Sequence, residues 1–137
     1  HFFDMLLWVL GPALDFQVHA RSHDREAGLI LFNDARVRYF LSIDGATAPK
    51  DQGRTATGSY RSLRIDNREV TFSDGFMDLH TEVYKDILDN KGCFLADAKP
   101  AIELLTKMRG VTPILPEDLD EGHPLLSSQQ KKHPFSP

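Results

Sequence analysis

Two histidines and a tyrosine carry the residue types best suited to moving a proton or holding a polar substrate. His1 opens the stretch HFFDMLLWVLGP, in which Phe2, Phe3, Leu6, Leu7 and Leu10 recur at helical spacing. The positive end of a helix favours a neutral imidazole, the form that accepts a proton. Read alone, His1 is more simply a terminal residue without a role. In DLHTEVYKD, His80 and Tyr84 stand four apart, so a helix makes them neighbours, with Asp78 and Thr81 close by. A solvated helix face accounts for that spacing almost as well, and the residues alone leave both readings open.

Other chemistries find less support. The single Cys93 has no partner for an internal disulfide, which suits a reducing, cytoplasmic setting, and its context NKGCF offers no base to make it a nucleophile. His19 and His23 fall in a predicted strand and its exit, not on one helical face, and no Cys/His cluster has zinc spacing. The glycines are isolated, so no phosphate-cradling loop joins a strand to a helix. With 16 basic against 20 acidic residues and a net charge of -4, a nucleic-acid partner is not expected. The opening apolar stretch is interrupted by Asp4 and ends at Gly11-Pro12, well short of the roughly 20 residues that span a bilayer. It also lacks the basic lead-in and cleavage site of a signal peptide.

The elements that must position these residues follow from the hydrophobic pattern. With 137 residues, one domain is expected, and the first helix, widened by Met5, Trp8 and Val9, is predicted to be mostly buried. From Ala13 to Ser73 the period becomes that of strands: Phe16, Val18 and Ala20 alternate with polar residues, Leu29 to Phe32 form an apolar run, and Val37, Tyr39, Leu41 and Ile43 alternate again. Asn33-Asp34 and Asp66-Asn67 are turn chemistry and predict two hairpins, separated by a long surface loop, GATAPKDQGRTATGS. A second helix begins near Asp78 as its cap, with Phe76, Leu79, Val83 and Ile87 in one stripe, and stops over Asn90 to Gly92. A third runs through ADAKPAIELLTKMRG, with Asp97 as cap, Pro100 in the first turn, and Ala98, Ile102, Leu105 and Met108 inward. Residues 111–137 hold five of the eight prolines and read as an extended arm after a domain over 1–110. Segregated strands and helices argue for an α+β fold, a mostly antiparallel open sheet with helices packed on one face. The strand carrying Tyr39, Phe40, Leu41 and Ile43 is apolar on both sides, so the sheet's other face is expected to meet a sister subunit or another domain.

HFFDMLLWVLG, RVRYFLSID, the run from YRSLRIDNREV through FSDGFMDLHTEVYKDIL to DAKPAIELLTKMR, and EGHPL together resemble the C-terminal domain of the glucose-fructose oxidoreductase / inositol dehydrogenase family. Within it the likeness is greatest to the UDP-2-acetamido-2-deoxyglucuronate 3-dehydrogenases of lipopolysaccharide and O-antigen synthesis. The resemblance implies an upstream Rossmann domain that binds NAD and supplies a lysine, and a sheet that builds a homo-oligomer interface. His1 matches the family's catalytic histidine, so the chain is expected to start immediately before it within a longer parent. His80 and Tyr84 match substrate-side positions, and Arg36 and Arg38 become candidates to meet a uronate or diphosphate.

These implications make the parent an NAD-dependent enzyme that oxidises a nucleotide-sugar hydroxyl, and this chain its substrate-binding and oligomerisation part, expected to be inactive alone. No cofactor or metal is expected on this chain itself. The alternatives are another sugar or cyclitol dehydrogenase of the same family and, from a different class, a non-catalytic dimerisation module that pairs through its sheet.

Overall fold

The computed structural model describes residues 1–45, 60–71, 78–92, 94–116 and 122–126. Its elements run in the order α1 (Phe2–Leu10), β1 (Asp15–Arg21), β2 (Arg25–Leu31), β3 (Arg36–Ser42), β4 (Ser62–Ile65), β5 (Arg68–Thr71), α2 (Leu79–Leu88) and α3 (Leu95–Gly110). This is a mixed α+β fold with antiparallel open sheets, β1-β2-β3 and β4-β5. Its contacts form two units, one drawn from His1–Ile43 and Phe94–Pro137, the other from Asp44–Cys93.

In the first unit, α1 begins with His1 as its N-cap, and Gly11 ends it with φ 82°, its N–H closing on the Leu7 carbonyl. That left-handed conformation is open to glycine at no steric cost, so Gly11-Pro12 stops the helix as the sequence predicted. β1, β2 and β3 then form a meander. The turn at Asn33-Asp34 is closed by the Phe32 N–H on the Ala35 carbonyl. β1 carries an extra residue: Val18 pairs with Gly28 and Ala20 with Ala27, leaving His19 bulged between them.

Alternation sends Val18, Ile30 and Tyr39 to one face, where they share a core with Phe3 and Leu6 of α1 and Leu104 and Met108 of α3. α1 packs less completely than its composition predicts. Phe3 and Leu6 are buried, but Trp8 is 88% exposed and Val9 63%, because a helix resting on one side can turn only one stripe inward. α3 meets its predicted face in part, with Met108 buried and Leu105 packed against the core. Ala101, Leu104 and Met108 are buried while Ile102 is 54% exposed, and Ala98 is also exposed.

The α3 start differs too. The helix begins at Leu95, so Asp97 is in the first turn and not the cap; its carboxylate reaches back to accept the Phe94 N–H at 2.7 Å. Pro100 consequently sits in the second turn, where its missing N–H leaves the Ala96 carbonyl without its helical donor.

Tyr39 is not on an open sheet face. It is 1% exposed, edge-on to Phe3 with ring centroids 5.4 Å apart. The opposite face of the sheet carries buried Ala27, Leu29 and His19, and Phe40 there stacks on His123 at 5.5 Å. Ile114 donates its N–H to the Val18 carbonyl at the β1 edge, so part of the proline-rich stretch adds to this sheet.

In the second unit, β4 and β5 form a hairpin whose turn residues Asp66 and Asn67 both have positive φ, the geometry that matches strand twist. Asp78 is the N-cap of α2 but gives it no side-chain hydrogen bond; its backbone carbonyl accepts the Glu82 N–H. α2 ends at Asp89 and Asn90, the latter with φ 57°. The stripe of Leu79, Val83 and Ile87 is exposed on this helix. Phe76, Cys93 and most of the predicted surface loop lie outside the described residues.

Candidate functional site

His1 is exposed at the start of α1, and its carbonyl accepts the Met5 N–H at 2.9 Å. Its position is set from behind. Phe3, two residues on, abuts Tyr39, whose hydroxyl donates to Glu26 at 3.1 Å. Glu26 in turn accepts the Arg21 Nε–H at 2.7 Å. The same guanidinium donates to the Met108 carbonyl at 2.7 Å and the Val111 carbonyl at 3.1 Å, capping the C-terminal end of α3 with a positive charge. Burial, and then the Glu26 carboxylate, push the Tyr39 hydroxyl well above the usual tyrosine range, so it stays protonated as a donor.

Sequence reasoning missed this network, because Arg21 there is only one more polar residue in an alternating strand. The signal that exists is the cross-strand pairing of Arg21 with Glu26 around a short turn. Arg21→Met is expected to lower stability by about 2 kcal/mol, since Glu26 and the α3 carbonyls lose a charged donor. Denaturant melts of the variant against the parent sequence measure it; a loss under about 0.5 kcal/mol would reduce the network to a surface ion pair.

On the opposite sheet face His123 lies on Phe40. Burial, and then the positive charge of Arg38, push the imidazole down to about 4. The sign follows: a histidine whose folded value is below its unfolded value of about 6.5 stabilises the docked form fully above that pH and progressively less as pH falls towards the folded value. NMR titration is expected to show the His123 ring titrating near pH 4, with the ring-current shift from Phe40 lost over that range. Titration at an ordinary histidine value would show that the stack is not kept in solution.

The sequence-derived residues fall into different units. His1 belongs to the first, and Arg36 and Arg38 to its strand β3, while His80 and Tyr84 lie one turn apart on the exposed surface of α2 in the second. His19 and His23 are separated by environment, the first buried in β1 and the second fully accessible in the β1–β2 turn. Among the described residues no helix is long and apolar enough to cross a membrane.

Comparison with solved structures gives the class to which this antiparallel α+β chain is related: it is homologous to a part of an NAD-dependent dehydrogenase. One such relative is the WlbA (WbpB) dehydrogenase from Thermus thermophilus. Its crystal structure in complex with NAD and UDP-GlcNAcA matches with a TM-score of 0.81 and 42% identity, over 91% of this chain and 40% of that one. The same dehydrogenase in complex with NAD and α-ketoglutarate matches with a TM-score of 0.80 at the same identity. This chain therefore spans about two-fifths of its relative's length. No family model matches the chain. UDP-GlcNAcA is the nucleotide sugar UDP-2-acetamido-2-deoxyglucuronate, so the resemblance read from the sequence is borne out.

Proposed function

We propose that this chain is the substrate-binding and oligomerisation part of an NAD-dependent oxidoreductase that oxidises the 3-hydroxyl of UDP-2-acetamido-2-deoxyglucuronate in lipopolysaccharide biosynthesis. The observation that carries the reading is the 42% identity, sustained over 91% of the chain, to a dehydrogenase seen with NAD and that sugar nucleotide. This chain spans 40% of its relative, and binding of NAD is assigned to the remainder of the parent protein.

When bound, NAD would supply the acceptor for the hydride that leaves the sugar carbon as its hydroxyl becomes a ketone. His1 takes the hydroxyl proton: its side chain is exposed at the head of α1 and is free to approach a substrate held in front of that helix. His80 and Tyr84 present a donor and acceptor pair from one surface of α2, suited to sugar hydroxyls and the uronate. This chain alone is inactive in this reading, because it carries a base without an electron acceptor.

The test is on the longer parent. Purified with its upstream region, it is expected to carry NAD and to reduce it when UDP-2-acetamido-2-deoxyglucuronate is added, followed by the absorbance of the reduced nicotinamide. A parent that binds no NAD and leaves the sugar unchanged overturns the proposal. In an active parent, Tyr84→Phe and His80→Ala are expected to raise KM several-fold more than they lower kcat, as removal of ground-state binding contacts does. Equal losses in kcat and kcat/KM would move them into the chemistry.

A further inference from the structure

Tyr39 buries a hydroxyl where a phenylalanine would fill nearly the same space. It is 1% exposed, the largest fully enclosed side chain among the described residues. Its cross-strand partner is Gly28, and a Cβ there would come within 2.9 Å of both its ring and its hydroxyl. It stands edge-to-face with Phe3, ring centroids 5.4 Å apart, and its hydroxyl donates to Glu26 at 3.1 Å. Bare backbone on one side, a second ring on another and a carboxylate at the tip leave the ring one place to stand. A satisfied buried hydrogen bond of this kind adds little net stability over an apolar replacement, but it selects one arrangement of the core.

What that arrangement fixes is the front of α1. His1 is exposed, and in the first turn behind it only Phe3 is buried; Phe2 and Met5 are half-buried and Asp4 is exposed. The next buried residue, Leu6, lies about 4.5 Å further along the helix axis. The end that carries His1 therefore turns on the seat of Phe3, and that seat is Tyr39. Glu26 is held in its turn, since it accepts the Arg21 Nε–H at 2.7 Å and the same guanidinium bonds the Met108 carbonyl of α3.

We propose that Tyr39 is a positioning residue for His1. Its hydroxyl, bonded to Glu26, holds Phe3, and through Phe3 the helix start, at the setting from which the imidazole reaches the sugar hydroxyl. The inference rests on the dehydrogenase reading above, in which His1 takes that proton. Misplacing a reacting group by about 1 Å slows a reaction by about 10²-fold, so a smaller shift of this seat is still felt in kcat.

The experiment uses the full-length parent, with turnover expressed per bound NAD at a temperature where melts show each variant folded. Tyr39→Phe removes the hydroxyl and keeps the ring. It is expected to lower kcat about tenfold with KM unchanged, because no substrate contact is touched. Glu26→Gln weakens the pairing with Arg21 but still offers the hydroxyl a hydrogen-bond partner, so it is expected to lose stability and keep most of its kcat. Should Tyr39→Phe fail to fold, Phe3→Leu takes its place, with the same fall in kcat expected. Undiminished kcat in the folded variant, or losses of kcat in both variants that follow only their losses of stability, overturn this inference and leave the dehydrogenase reading standing. A parent that binds no NAD or leaves the sugar unchanged removes both.

Discussion

Replacing His1 by asparagine in the full-length parent is expected to reduce kcat about 10²–10⁴-fold while the protein still folds, assembles and binds NAD. Asparagine keeps a polar side chain of similar reach but cannot accept the proton that leaves the sugar hydroxyl. The exposed position makes the substitution structurally mild, as the helix it caps is held from the other side by Phe3 and Leu6 and loses no side-chain cap bond. A loss confined to kcat identifies a group acting in the transition state. Unchanged turnover would return His1 to the role of a terminal residue and favour the reading of this chain as an assembly module, in which no substitution at His1 or His80 alters any reaction.

Gly28→Ala is expected to destabilise the first unit by about 3 kcal/mol, near the upper end for overpacking a core. Gly28 sits in the central strand between Val18 and Tyr39. A Cβ there would overlap the Gln17 carbonyl oxygen and approach the Tyr39 ring and hydroxyl to 2.9 Å. Neither neighbour yields easily. The first is backbone, and the second is fixed between Phe3 and Glu26. Gly110→Ala is the control: a Cβ at that position meets nothing within 4 Å, so the change is expected to be neutral or slightly stabilising. Equal stability of the two variants in denaturant melts would show that the sheet relaxes around the added methyl group.

Local punctuation was the most legible part of the sequence. Gly11-Pro12, Asn33-Asp34, Asp66-Asn67 and Asn90 each stop or turn the chain where expected, because their backbone preferences act within a few residues. Facing was less legible. Of the α3 residues expected inward, Met108 is buried and Leu105 partly covered, but contact with β1 and α1 brings in Ala101 and Leu104 and leaves Ala98 and Ile102 outside. Trp8 was misplaced for the same reason: an apolar helix carries no mark of how much of its circumference its own unit covers. The candidate residues were legible through resemblance more than through pattern, since His1 and His80 sit in contexts that periodicity alone explains without any chemistry.

The chain order of the two units has a consequence for how such a protein varies. Residues 44–93 form an excursion between β3 and α3, while α1, the three-stranded sheet and α3 assemble from the two flanking stretches. Closing an excursion costs entropy that grows only logarithmically with its length, by about 0.6 kcal/mol for each doubling. The Arg21 clasp on the far end of α3 fastens the two flanking stretches to one another. The excursion that bears His80 and Tyr84 can thus lengthen or shorten over evolutionary time at a small entropic cost to closing the flanks.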